Sequence, residues 1–493
     1  MVSSLVAMAA AALLQQPACD SLKTLSLPRA TITAVESVAA GAQAPGRGRG
    51  AAAPLSAHCR VAVTLTPSAD SHIEMELWLP TENWNGKFLA VGNGGWAGSI
   101  SFDAMASGLR RGYATASHDT GHKGGSAAFA LGHPEKLVDF GYRAMHEMAV
   151  QSKTLIQAFY RRAPQLSYYQ GCSTGGRQGM MAAQRYPEDF DAIVAGAPVY
   201  NVVHLNVSQV SLQVGMLKNP ASLVPAEKRT LFANAVVAAC DPRDGVKDGI
   251  ISEPRACKVD PAVLACKAQD GPDCLTAAQV ANARSAYTPV TTRTGALVYP
   301  GRSPGFETGW RIPTPGAPLN PLFADMPRYV GRQDPNWDPM TFDLETDLAL
   351  AVKNAGFIEA SDPDLAKFKA RGGKLLLYHG WADPGPAPEN TINYYDAVHR
   401  KLGGKQDDWM RLFLMPGVGH CGGGVGPDQA DFLGAIERWK EQGVAPGQII
   451  ATKPAGRGAS APMSRPLCPH PQVARYNGSG STDDAKNFTC ARP

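Results

Sequence analysis

The chain has 493 residues, of which 44% are hydrophobic and 18% are charged, and its formal net charge is +4. This length exceeds that of one ordinary core and predicts an α/β domain that carries one large insertion. Because the net charge is small and no Lys/Arg run stands out, the composition argues against nucleic acid as a partner.

The first segment of the chain has the pattern of a targeting sequence. Residues 5–14 form an apolar, alanine-rich stretch that is too short to span a bilayer, as in a signal peptide, although no cationic residue precedes it. We therefore predict a signal peptide over residues 1–18, no membrane span, and a secreted or periplasmic location. The ten cysteines favour an oxidising compartment, with a reduced cytosolic protein as the alternative.

The next elements predict the start of a sheet. Residues 55–80 alternate apolar and polar side chains, which is typical of antiparallel strands. A buried strand over residues 87–91 ends in a glycine loop over residues 92–96, and a long helix is predicted over residues 136–161.

Gly171-Cys172-Ser173-Thr174-Gly175 is the most informative motif. A strand is predicted over residues 166–170 before it, and a helix over residues 176–187 after it, which Pro187 ends. The pattern G-x-S-x-G at a strand-to-helix turn is typical of the nucleophile elbow of α/β-hydrolases, where small neighbours allow the sharp turn. From this motif alone, a plain Gly/Ser turn is the alternative.

Two later strand ends supply the partners that such a serine needs. A serine hydroxyl becomes nucleophilic when a histidine accepts its proton and a carboxylate orients that histidine. The apolar strand that begins at residue 374 leads into a loop with Asp383, and a strand over residues 411–415 leads into a glycine-rich loop with His420. The order Ser, Asp, His is that of α/β-hydrolases, so we predict Ser173, Asp383 and His420 as the catalytic triad.

The same fold places an oxyanion hole beside the nucleophile. One backbone amide comes from the loop after an earlier strand, and the other from the residue that follows the serine. We assign these donors to Gly95, with Gly94 close behind, and to Thr174. A plain turn at the glycine loop is the alternative.

The middle of the chain has a different character. Between Pro198 and about Asp362 the alternation of strands and helices disappears, and prolines, tryptophans and four cysteines accumulate. We therefore predict a catalytic domain formed by residues 19–199 and 363–493, and an inserted lid domain over residues 200–362.

One loop of this predicted lid is rich in carboxylates. A hard, oxygen-seeking cation such as Ca²⁺ suits it, and the predicted ligands are the side chains of Asp241, Asp244 and Asp248 and the carbonyl groups of Val246 and Ile250. The spacing is not that of an EF-hand, and from the spacing alone a solvated acidic turn is equally compatible.

Four segments together resemble the tannase and feruloyl esterase family. They are residues 117–122, 171–177, 379–383 and 419–422, and the resemblance runs from near residue 59 to the C-terminus. It implies an α/β-hydrolase fold, a serine carboxylesterase that acts on esters of hydroxycinnamic or gallic acids, and a structural Ca²⁺ ion in the acidic loop.

The resemblance also implies how the cysteines pair, which sequence alone cannot select from about 945 connectivities. The implied pairs are Cys19 with Cys59, Cys172 with Cys421, Cys240 with Cys257, Cys266 with Cys274, and Cys468 with Cys490. If His420 bonds Ser173, Cys172 and Cys421 come close enough for a disulfide.

The predicted substrate is a small aromatic ester. Side chains in the predicted lid would stack on an aromatic acyl group or pair with a carboxylate, or would form the lid's own core: Trp310, Arg311, Phe323, Arg328, Tyr329, Trp337 and Phe342. A terephthalate monoester hydrolase or a general aryl or alkyl esterase of the same fold is the alternative. The terephthalate enzyme of the family has an aromatic residue shortly after its acid, where this chain has Pro384-Gly385-Pro386. A non-catalytic binding protein would need a defective triad position, and none is visible.

Overall fold

The structure is a computed structural model that describes residues 19–43, 45, 54–456 and 461–493. The predicted signal peptide, residues 1–18, lies outside the described residues. The strands are β1 (Ala30–Val38), β2 (His58–Leu65), β3 (Ile73–Pro80), β4 (Lys87–Val91), β5 (Ala114–His118), β6 (Leu166–Cys172), β7 (Ala192–Gly196), β8 (Val290–Thr291), β9 (Leu297–Tyr299), β10 (Lys374–Gly380), β11 (Met410–Met415), β12 (Gln429–Ala430), β13 (Ile449–Lys453), β14 (Met463–Leu467), β15 (Val473–Tyr476) and β16 (Phe488–Ala491). The α-helices are α1 (Phe102–Arg110), α2 (Pro134–Val138), α3 (Ala144–Tyr160), α4 (Thr174–Arg185), α5 (Val202–Lys218), α6 (Ala226–Cys240), α7 (Ala277–Tyr287), α8 (Pro321–Asp325), α9 (Leu344–Ala355), α10 (Ala366–Ala370), α11 (Pro388–Leu402) and α12 (Phe432–Gln442).

A nine-stranded sheet organises the chain. Its strand order is β1-β2-β3-β5-β4-β6-β7-β10-β11, antiparallel from β1 to β5 and parallel from β5 to β11. The predicted α/β class is therefore confirmed, as are the antiparallel strands within residues 55–80.

The core lies on both faces of this sheet, because successive side chains of a strand point to opposite faces. In β10, Leu375 and Leu377 belong to one buried cluster, whereas Leu376 belongs to another, together with Phe413 and Trp439. Strands that are buried on both faces are continuously apolar, which explains why β7 and β10 carry no polar alternation.

The long helix predicted over residues 136–161 is divided. The chain forms α2, then a π-helical turn over Asp139–Arg143, and then α3. Gly141 lies in this turn, where an added Cβ would come within 2.9 Å of Ile358, so the glycine allows the turn to pack closely against the returning chain.

The segment predicted as the lid leaves the sheet and returns to it at one place. The amide of Ala360 donates to the carbonyl oxygen of Tyr200 at 2.7 Å. The segment has buried clusters of its own, and one of them also contains Trp96 and Phe140 from the part of the chain before it. The lid boundaries stay a prediction.

Within the described ranges, no helix is long and apolar enough to cross a bilayer.

Candidate active site

The three predicted triad residues lie at one edge of the sheet. Ser173 follows β6, Asp383 follows β10 and His420 follows β11, and these strands run parallel with only β7 between β6 and β10. The carboxyl ends of parallel strands meet at the same edge, which is where α/β sheets place their sites. Residues separated by 247 positions in the chain are therefore brought into contact.

Ser173 occupies a strained turn between β6 and α4. Its backbone has φ 64° and ψ −122°, a conformation that non-glycine residues rarely adopt. The flanking glycines are required by space, because a Cβ on Gly171 would lie 2.6 Å from the backbone of Gly175. A Cβ on Gly176 would lie 2.4 Å from the carbonyl oxygen of Gly196. The turn lifts the serine side chain out of the sheet edge toward the histidine.

A chain of hydrogen bonds joins the three side chains. The Ser173 hydroxyl lies 2.8 Å from His420 Nε2, and His420 Nδ1 lies 2.6 Å from Asp383 Oδ2. With the proton of a neutral His420 on Nδ1, the histidine donates to Asp383 and accepts from Ser173. This arrangement has the geometry that a serine nucleophile and its general base require.

A second histidine, His379, holds the carboxylate of Asp383. His379 is fully buried in β10, and its Nε2 lies 3.1 Å from Asp383 Oδ2 and 3.2 Å from the carbonyl oxygen of Pro386. Because Nε2 faces two acceptors, it carries the proton, and Nδ1 accepts from the Thr391 hydroxyl at 2.7 Å. The sequence analysis gave His379 no role, although it lies four residues before Asp383.

Burial and hydrogen bonding act in opposite directions on Asp383. Burial alone raises the pKa of its carboxyl group, but hydrogen bonds from His379 and His420 outweigh burial and hold the pKa below its ordinary value. The amide of Gly385 also donates to Asp383 Oδ1 at 2.9 Å. The carboxylate is therefore ionised at neutral pH, as a group that orients a histidine must be.

The two amides predicted as an oxyanion hole border the same cleft as Ser173. Neither the amide of Gly95 nor that of Thr174 donates a hydrogen bond to another residue in the described parts of the chain. Thr174 starts α4, and the first amides of a helix have no partner within it. Both groups are thus available to an oxygen atom bound beside Ser173. Their role in catalysis stays a prediction.

Asn93 and Gln178 hold the glycine loop against the nucleophile helix. The Asn93 amide N–H donates to Gln178 Oε1 at 3.1 Å, and Gln178 Nε2 donates to Asn93 Oδ1 at 3.0 Å. A further link joins the two loops, since the Thr174 hydroxyl donates to the carbonyl oxygen of Gly95 at 2.9 Å. We call the two Asn93–Gln178 bonds the loop clasp. Sequence reasoning missed it because nothing in the order of residues pairs positions 85 apart.

Apolar side chains form most of the cleft wall beside Ser173. The lining includes Trp96, Phe140, Val199, Val202, Leu205, Leu322, Phe323, Pro384 and Pro386, and its polar members outside the triad and oxyanion positions are Asn206 and Arg311. Arg177 supports the Phe140 wall, because its buried guanidinium donates to the carbonyl oxygens of Phe140 and Gly141, and burial lowers its pKa to about 10. A larger cavity of about 670 Å³ between residues 254–260 and 300–304 contains no triad residue.

Most aromatic residues proposed for substrate stacking have a different role. Phe323 belongs to a buried cluster but also lines the cleft, whereas Trp310, Trp337 and Phe342 are buried in clusters of the inserted segment and do not line it. Of the two arginines proposed to bind a carboxylate, only Arg311 borders the cleft. For the buried side chains the structure supports the second of the two roles that the sequence left open, the core of the lid; composition alone does not distinguish a lining residue from a core residue.

All ten cysteines are paired as the resemblance implied. The bonds are Cys19–Cys59, Cys172–Cys421, Cys240–Cys257, Cys266–Cys274 and Cys468–Cys490. The bond Cys172–Cys421 joins the immediate neighbours of Ser173 and His420, with 6.0 Å between its Cα atoms. It therefore ties the loop that carries the histidine to the strand that carries the serine.

The acidic loop after α6 has the donor chemistry of a Ca²⁺ site. Asp244, Val246, Asp248 and Ile250 border one small cavity, and Asp241 accepts the amides of Asp248 and Gly249 at 3.2 Å. Carboxylates and carbonyls are the ligand types that Ca²⁺ prefers, so the loop has suitable donors, although its three carboxylates do not converge within 4.8 Å of one another in the described chain.

Arg465 is a further partner of this loop. Its Nη2 lies 2.5 Å from Asp248 Oδ2. Burial raises the pKa of the Asp248 carboxyl group, and the contact with Arg465 opposes part of that rise. Elsewhere in the described chain, ligand atoms of Cys266, Asp270 and Cys274 cluster within 4.8 Å, but those cysteines are bonded to each other.

Comparison with known proteins places this geometry in a family. The model of the tannase and feruloyl esterase family matches residues 59–491. An uncharacterised esterase of Xanthomonas campestris pv. campestris is 37% identical, over 96% of this chain and 91% of its own. Feruloyl esterase C of Talaromyces stipitatus is 35% identical, over 96% and 94%. The crystal structure of feruloyl esterase B from Aspergillus oryzae is 32% identical with a TM-score of 0.87, over 96% and 99%.

Proposed function

The chain belongs to the family of tannases and feruloyl esterases, and on this premise we propose that it hydrolyses esters of aromatic acids through an acyl-enzyme on Ser173. As a member of this family it is a carboxylic ester hydrolase with an α/β-hydrolase fold. The observation that carries the proposal is the hydrogen-bonded series Ser173, His420 and Asp383 at the base of an apolar cleft.

The first half of the reaction forms the acyl-enzyme. Ser173 Oγ attacks the ester carbonyl carbon while His420 Nε2 takes the hydroxyl proton. The carbonyl oxygen becomes negative and accepts hydrogen bonds from the amides of Gly95 and Thr174, each worth about 2.7 to 4 kcal/mol in well-studied enzymes. The intermediate then breaks its bond to the alcohol, which leaves with the proton from His420.

The second half restores the enzyme. A water molecule gives a proton to His420 and attacks the acyl carbon, and the intermediate expels Ser173, which regains the proton. Asp383 stays ionised throughout and stabilises the imidazolium ion of His420. His379 keeps Asp383 in place, because its Nε2 donates to the same carboxylate.

The cleft supports an aromatic acid as the acyl group. Trp96, Phe140 and Phe323 border the space next to Ser173, and flat apolar rings pack favourably against such walls. Because the relatives are named feruloyl esterases and the matching family model covers tannases and feruloyl esterases, hydroxycinnamic or gallic esters are our proposed substrates, ahead of a terephthalate monoester.

Replacement of the nucleophile tests this proposal. Ser173→Ala should lower turnover by about 10⁶ with an unchanged circular dichroism spectrum, because no acyl-enzyme forms. The matched control is Ser152→Ala, which changes a buried serine of α3 outside the cleft and should keep full activity. Substrates are methyl ferulate, methyl gallate, chlorogenate and the terephthalate monoester. Near-normal hydrolysis by Ser173→Ala contradicts the mechanism, and inactivity of the unaltered enzyme on every ester contradicts the substrate class.

We further propose that the acidic loop binds a structural Ca²⁺ ion and that the enzyme works outside the cytoplasm. Asp241, Asp244 and Asp248 with the carbonyls of Val246 and Ile250 would hold the ion, which would neutralise the carboxylates and stabilise the loop. Five disulfides are typical of secreted or periplasmic proteins and support the location.

A further inference from the structure

Asn206 is a buried amide that the rest of the protein leaves unused. It lies on α5, is 3% exposed, and its side chain makes no hydrogen bond to any residue that the structure describes. Val202, Leu205 and Asn206 recur at the spacing of one helix face, and all three border the cleft that contains Ser173. Its amide therefore belongs to the wall of the candidate active site.

The other buried amides of the same helix have partners. Gln213 Nε2 donates to the carbonyl oxygen of Gln209 at 3.2 Å, and Gln209 Oε1 accepts from Arg302 Nη2 at 2.8 Å. Burying a polar group without a hydrogen bond is unfavourable, and native proteins rarely do so without a functional reason. Asn206 is thus the exception on α5, and it is the one amide of the three that faces the cleft.

Arg311, the other polar group on the cleft wall, is not a buried group without a hydrogen-bond partner. Its side chain is exposed, so water can satisfy its donors when no ligand is bound. Glycosylation does not explain Asn206 either, although Asn206-Val207-Ser208 fits the acceptor pattern, because an acceptor asparagine lies at the surface.

We propose that Asn206 recognises the ring hydroxyl group of the aromatic acyl chain and makes the enzyme prefer hydroxylated over unsubstituted rings. This inference rests on the proposed function, since it assigns a specificity residue to that same site. A primary amide offers one acceptor and two donors, and a phenol offers one donor and an acceptor oxygen, so the two groups can exchange a pair of hydrogen bonds. Beside the apolar walls formed by Phe140, Leu205 and Phe323, such a pair is stronger than it would be in bulk water.

A site built around a hydroxyl group discriminates strongly against the analogue that lacks it. Binding an unsubstituted ring leaves the buried amide unpaired, whereas an apolar wall would accept both rings about equally. Asn206 thereby converts a cleft that accepts any flat apolar group into one that selects among aromatic acids.

The test compares two substrates that differ only in the ring hydroxyl, methyl p-coumarate and methyl cinnamate. In Asn206→Leu, the ratio of their kcat/KM values should fall by about 10- to 100-fold, which corresponds to about 1.4 to 2.8 kcal/mol. Asn206→Ala should give the same fall and serves if the larger leucine disturbs the helix. The melting temperature of the leucine variant should not decrease, because it removes an unpaired buried amide.

The matched control is Gln213→Leu, which removes a buried amide from the same helix at a position outside the cleft. It should leave the substrate ratio unchanged. An unchanged ratio in both Asn206 variants, or an equal fall in Gln213→Leu, overturns the assignment. If the unaltered enzyme hydrolyses neither of the two esters, the proposed function is overturned instead, so the two failures are distinguishable.

Discussion

The disulfide between Cys172 and Cys421 should control catalytic geometry as well as stability. Each cysteine is bonded directly to a residue of the triad, and the bond spans 249 positions of sequence. The perturbation is the double substitution Cys172→Ala and Cys421→Ala. Without the crosslink, the His420 loop is held by its remaining contacts alone, so the 2.8 Å hydrogen bond to Ser173 is no longer enforced.

The structure gives a magnitude for each effect. Closing a loop of 249 residues corresponds to at most about 5.5 kcal/mol of stability by loop entropy, and native disulfides commonly contribute about 2 to 5 kcal/mol. Displacing a catalytic group by about 1 Å costs on the order of 10² in rate. We therefore expect turnover per folded molecule to fall by about 10² below the new melting temperature.

The assay measures kcat for an aromatic ester, with the folded fraction taken from circular dichroism at each temperature. The matched control is Cys468→Ala with Cys490→Ala, which removes a disulfide that closes 22 residues and borders no part of the cleft. That variant should lose stability but keep its turnover. If the Cys172/Cys421 variant also keeps full turnover in its folded fraction, the bond is a structural crosslink and the positioning argument is refuted.

Three further predictions concern the loop clasp, a buried histidine and the acidic loop. Gln178→Leu removes both bonds to Asn93, so kcat should fall by about 10- to 100-fold with little change in KM, because oxyanion contacts act in the transition state. We expect Gln178→Glu to recover part of the lost kcat. An effect on KM alone would contradict a role of the loop clasp in the transition state. Burial lowers the pKa of His118 to about 3, so the unfolded chain binds a proton below about pH 6.5 while the native one does not. The free energy of unfolding should therefore decrease by about 1.4 kcal/mol per pH unit from pH 6.5 toward pH 3, and urea titrations of His118→Asn should show a correspondingly smaller slope. Chelation of Ca²⁺ should lower the melting temperature more than the turnover, because the acidic loop borders no part of the cleft. The site is refuted if metal analysis of the purified protein finds no calcium and added calcium leaves the melting temperature unchanged.

The sequence determined the chemistry of the candidate site because that information is local. A G-x-S-x-G turn after an apolar strand, a carboxylate after a second strand and a histidine after a third are each readable within about ten residues. Parallel strands bring their carboxyl ends to one edge of the sheet, so Ser173, Asp383 and His420 come together at that edge. The α/β class followed from the same strand patterns.

Only the tertiary structure decided what surrounds those residues. His379 contacts Asp383 because the chain turns back after β10, and the Asn93–Gln178 clasp joins segments 85 residues apart. In the sequence, Asn206 looks like any other polar residue on a helix. Its proposed role depends on the absence, in the described parts of the chain, of a hydrogen-bond partner within reach of its side chain, which the sequence does not show. Such contacts depend on how distant segments pack in three dimensions, so residue spacing along one segment does not predict them.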